Sequence, residues 1–182
     1  MERFLTLQRI AMCLICAQWF VASTGIAYGQ GASDPLLEAL DQFCVMTRMD
    51  EQRFQLNIEM FQTQSLEGAQ LDAAAPGSRF GHFVSMPSGI IFVSIGQNTS
   101  PDGQVAKFCS VAAEGYEFAG ARDLIQSNYN VQLLESSRQG SSEYALFQAD
   151  LIGFPGPMGL FVQSGAGMST LSITDILGTL AD

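Results

Sequence analysis

Basic side chains are scarce in this sequence: 8 lysines and arginines stand against 18 aspartates and glutamates in 182 residues, for a net charge of −10. Binding nucleic acid requires a basic face that neutralises phosphates, so that class of function is excluded. One imidazole, His82, and four cysteines leave little material for a transition-metal site. The nucleophile elbow GxSxG, a glycine run ending in GK[ST] and an EF-hand calcium loop are all missing. Lys107 is the sole lysine and has no serine three residues before it, so an SxxK pair is absent too. No cofactor and no metal are therefore expected. Charged residues make up only 14% of the chain, but aromatics reach 10%, which argues against global disorder. The length suits one compact domain behind a leader.

The first thirty residues read as an export signal. Arg3 and Arg9 form a basic start, Ile10 to Ala22 are mostly apolar and uncharged, and Ala27-Tyr28-Gly29 fits the small-x-small cleavage rule. The uncharged run from Ile10 to Ser33 could also span a bilayer. Gln18, Ser23, Thr24 and Gly25 interrupt it, however, which favours cleavage after residue 29 and no membrane span afterwards. Cys13 follows Met12 and Cys16 follows Ile15, so neither has the small preceding residue of a lipoprotein signal. An exported chain is expected in the periplasm or outside the cell.

Taking away Arg3, Arg9 and Glu2 with the leader leaves six basic and seventeen acidic residues, a net charge of −11. The only tryptophan, Trp19, leaves as well, and of the cysteines only Cys44 and Cys109 remain. Two cysteines in an exported domain are most simply one disulfide.

Residues 30–182 are expected to form a single α+β domain: a mainly antiparallel sheet with an N-terminal helix or helix pair and one central helix packed on it. Asp34-Pro35 is a helix start, with Asp as cap and Pro at the first helical position. Leu36, Leu37, Leu40, Phe43, Cys44 and Thr47 then recur at helical spacing. Phe54, Ile58 and Phe61 mark a second helical stretch, either a bent continuation or a separate element. Residues 62–77 read as a polar connection. The period then changes to two, predicting strands over 80–86, 90–95 and 104–113, with Ser100-Pro101-Asp102-Gly103 as a turn. Tyr116 to Tyr129 is the central helix. Strands follow over 131–137 and 143–152, then a Pro/Gly loop over 153–159, a hairpin over 160–173 and a short helix over 174–180. The halves share a coarse helix-then-strands order.

Three constellations could carry function. His82 is the acid–base candidate, with Ser85, Ser88 or Ser110 as a serine for it to activate. Acidic residues such as Glu114, Glu117 and Asp123 cluster at a strand-to-helix junction, but the sequence aims no two of them at one another. Phe154 and Met158 on the Pro/Gly loop, with Phe161 beside them, are the candidate binding surface. Asn98-Thr99-Ser100 matches the glycosylation sequon of eukaryotic secretion. The leading expectation is an exported, non-catalytic domain that binds a protein partner or small ligand in the cell envelope. The alternative is a small secreted hydrolase using His82 with a serine or a carboxylate.

Overall fold

The computed structural model describes residues 34–99, 103–165 and 167–175. The expected leader, most of the turn at 100–103 and most of the expected C-terminal helix lie outside the described residues. Thr174, the first residue of that helix in the sequence reading, instead ends a strand.

Asp34 caps the first helix as its chemistry dictates: Oδ1 accepts from the backbone N–H of Leu36 at 2.9 Å and of Leu37 at 3.4 Å, with Pro35 in the first turn. Helix α1 (Pro35–Ala39) runs directly into a π-helical segment (Leu40–Val45). Arg48 and Met49 then take positive φ of 56° and 52°, and this left-handed pair ends the helix. Asp50 starts α2 (Glu51–Ile58) by accepting from Arg53 N at 2.9 Å. The second helical stretch is thus a separate element.

Strand β1 (Gln62–Leu66) and helix α3 (Gly68–Ala74) follow, where the sequence reading has only a connection. The reason lies in burial: β1 is a polar edge strand exposed on nearly every residue, and α3 buries Leu71 alone, so neither carries an apolar period. Strands β2 (Ser78–Met86), β3 (Gly89–Thr99) and β4 (Val105–Glu114) complete a meander. Helix α4 (Phe118–Asn128) leads to a second one: β5 (Val131–Gln139), β6 (Ser142–Ala149), β7 (Met158–Gly165) and β8 (Met168–Thr174).

The strands form one antiparallel sheet in the order β1-β2-β3-β4-β8-β7-β6-β5. Each half places a helix ahead of four consecutive strands, and the halves meet at the β4–β8 ladder. Alternation gives the sheet two distinct faces. Val84, Ile91, Val93, Ile95, Val111, Ala145, Phe147, Leu160, Val162, Leu171 and Ile173 point to one face and are buried in a cluster with Leu36, Leu40, Phe43, Phe54 and Ile125 of the helices. The expected α+β architecture is the observed one.

Cys44 in the π-helical segment and Cys109 in β4 stand at disulfide distance, Cα–Cα 5.5 Å, and both are fully buried. The pair pins helix to sheet across 65 residues of chain. Two tyrosines tie the central helix to the first: Tyr116 Oη donates to Asp34 Oδ1 at 2.9 Å, and Tyr129 Oη to Asp41 Oδ1 at 2.5 Å. Burial, reinforced by the Asp34 carboxylate, pushes the Tyr116 phenol up to about 12. Burial and Asp41 likewise raise Tyr129.

Two outcomes follow for stability. Closing a loop of this length restricts the unfolded chain by about 4 kcal/mol, so Cys109→Ala should lower the unfolding free energy by roughly that amount in urea melts. Thiol titration of residues 30–182, denatured and unreduced, should find none; two titrating thiols contradict the cross-link. Because Tyr116 binds its proton more tightly when folded, its contribution is complete below pH 10 and is lost as pH rises through about 12. Tyr116→Phe should flatten part of that alkaline decline, whereas the same decline in wild type and Tyr116→Phe contradicts the pairing.

Candidate functional site

Among the described residues only α3 packs on the second face of the sheet, and the rest of that face is left open. Between the helix-facing residues of β3, β4 and β8 lie Phe92, Ser94, Phe108, Ser110, Ala112, Thr170, Ser172 and Thr174, and these line a groove of about 920 Å³. Its volume is that of a small-molecule site. Ala74, Ala75 and Pro76 at the end of α3 form one wall, and Phe161, Gln163 and Ser142 of β7 and β6 lie towards the other.

Register sorts these residues into rows across the sheet. Gly81, Ser94, Ser110, Ser172, Phe161 and Leu146 are successive cross-strand partners from β2 to β6. The row beside it runs Phe83, Phe92, Ala112, Thr170, Gln163, Tyr144. The floor is therefore a strip of hydroxyls between aromatic ends. Phe83 and Phe92 meet at 5.3 Å at one end, and Phe161 stacks on Tyr144 at 5.6 Å at the other. Tyr144 Oη donates to Glu135 at 2.6 Å, and that bond is the main reason its proton is held more tightly than usual.

Within the strip, Ser110 Oγ and Ser172 Oγ hydrogen-bond to each other at 2.7 Å. Ser94 is 0% exposed and its Oγ has no partner. A buried hydroxyl left unpaired costs about 1–3 kcal/mol, so this one is an unspent hydrogen-bonding group in the floor of the groove. The described residues lining the groove include no Asp, Glu, Lys, Arg, His or Cys, although the chain as a whole carries a net charge of −10.

His82 is not part of this groove. It lies on the helix-facing side of β2, opposite Val93, with its ring 6.3 Å from that of Phe54 in α2. Burial lowers its pKa, and Nδ1 has no hydrogen-bond partner. Ser110 is on the groove face and already bonded to Ser172, away from the imidazole. The binding trio is divided as well. Met158 belongs to β7, not to the Pro/Gly loop, and pairing with Ala149 turns it into the core at 3% exposure. Phe154 packs against the same core, while Phe161 faces the groove. Only Phe161 of the three lines the site. The strand expected to run to Ile152 ends at Ala149, and Ile152, in the connection between β6 and β7, is 94% exposed.

A smaller hollow of about 330 Å³ brings Glu117 and Glu143 to one rim at the start of α4, with Glu143 ion-paired to Arg138. Among the described residues no cluster of His, Cys, Asp and Glu is arranged to hold a metal ion, and no helix is long and apolar enough to cross a membrane.

A histidine with a depressed folded-state pKa stabilises the fold above its ordinary value of 6.5, and that stability is lost as pH falls through the lowered value. His82→Gln should remove this acid-side step from the pH dependence of unfolding, and an unchanged step locates it elsewhere. Comparison of the chain with family models, curated proteins and solved structures returns no match.

Proposed function

We propose that this is an exported, non-catalytic binding domain whose open sheet face holds an uncharged, largely apolar small molecule. The carrying observation is the groove lining: a groove of about 920 Å³ with aromatic ends and a hydroxyl floor, and no Asp, Glu, Lys, Arg, His or Cys among its described lining residues. Moving an ionised ligand group into such a lining without a counter-charge costs several kcal/mol, whereas each buried methylene contributes about 0.8 kcal/mol. The groove chemistry thus selects neutral amphiphiles over their charged counterparts. A basic start, an apolar run and a small-x-small site in residues 1–29 support the export part of the reading.

Displacement of a neutral, environment-sensitive dye tests it. Decanol should compete at least about tenfold better than decanoate at neutral pH, since the two differ in the charge to be buried. Phe108→Asp, which sets a carboxylate in the floor, should weaken decanol by a similar factor while circular dichroism stays unchanged. Equal competition by alcohol and carboxylate, or none by either, overturns the proposal.

A further inference from the structure

Helix α3 is held to the sheet by one side chain. Of Gly68–Ala74 only Leu71 is buried, at 6%, and the residues around it are exposed. Gly68 and Gly77 flank the helix at positive φ, 52° and 80°, and Glu67 gives it no side-chain cap. The Gly77 carbonyl accepts from Gln97 N at 3.1 Å and so ties that end to β3, which leaves Gly68 as the conformationally permissive end of a short element.

Leu71 sits over Gly81. A Cβ at Gly81 would overlap Leu71 Cδ1 and come within 3.1 Å of Phe92 Cζ, so the absent side chain creates the notch that the leucine fills. Gly81 is also the direct cross-strand partner of Ser94, whose buried Oγ is unpartnered on the groove face. The hydroxyl lacking a bond and the side chain that closes the sheet beside it are therefore neighbours. The far wall of the same helix, Ala74 to Pro76, already lines the groove.

Building on the groove reading, we propose that Ser94 is the polar anchor of the site and Leu71 its displaceable stopper. A neutral amphiphile with a hydroxyl or carbonyl oxygen takes the place of Leu71 over Gly81 and hydrogen-bonds Ser94 Oγ. Its apolar body lies along the row towards Phe161. No covalent step is involved. The preferred class of ligand is then an uncharged long-chain alcohol or ester, and a bare hydrocarbon of the same length is the weaker one.

Decanol and decane, compared at equal free concentration on the intact domain, separate the two levels of the argument. Wild-type protein should favour decanol, and Ser94→Ala should reduce that preference about fivefold while leaving decane binding unchanged. Without ligand, Ser94→Ala should keep or raise the melting temperature, because it removes an unpaired buried hydroxyl. Leu71→Ala should tighten decanol several-fold and speed amide exchange over residues 67–77 to the rate of the decanol-bound wild type. A decanol-to-decane ratio that is the same in wild type and Ser94→Ala overturns the anchor although the groove binds. Failure of both ligands to bind wild type and Leu71→Ala overturns the groove reading itself.

Discussion

Strand β4 pairs with β8 through seven consecutive positions, from Phe108 with Thr174 to Glu114 with Met168. This ladder joins two meanders that would otherwise each present a raw edge to solvent. The groove depends on it. The pairing that sends Cys109, Val111, Leu171 and Ile173 towards the helices sends Ser110, Ala112, Thr170 and Ser172 to the other side. A slip of one residue would exchange the two sets, placing hydroxyls under the helices and leucines in the groove. The register is therefore fixed by the core, and the chemistry of the open face follows from it.

The helix side is closed redundantly. Cys44 and Cys109 approach to disulfide distance, Phe43 packs against Phe54 and Phe61, and the Tyr116–Asp34 and Tyr129–Asp41 bonds hold the central helix to the first. Among the described residues only α3 crosses to the other face, and it does so with Leu71 as its one buried residue. The cross-linked side is the one away from the groove, and α3, with its single buried residue, borders the groove. A site with a firm floor and one yielding wall can admit an apolar molecule without disturbing the core.

Much of the architecture was legible in the sequence because its signals are local. Asp34-Pro35 marks a helix start by capping chemistry, and the alternation in β2 and the run IIFVSI in β3 mark strands by burial. Helix α3 and strand β1 were not legible, since polar, exposed elements have no apolar period. The groove was not legible for a different reason. Ser94, Ser110 and Ser172 are ordinary serines in apolar strands, and the bonded pair is 62 residues apart in the chain. They become a strip only when three strands align. Two conspicuous residues stand away from the groove: His82 lies on the packed face and Met158 inside the core. A lone imidazole draws attention by its chemistry, but strand parity decides which face it serves.

Binding on one face of the sheet can be read directly, because methyl NMR reports the two faces of a single strand separately. On titration with decanol, the methyls of Ala112, Met168 and Thr170 should shift, while those of Val111, Leu171 and Ile173, one residue away in the same strands, stay in place. Shifts centred on the helix-facing methyls, or no shifts at any methyl up to the solubility limit, would contradict the account.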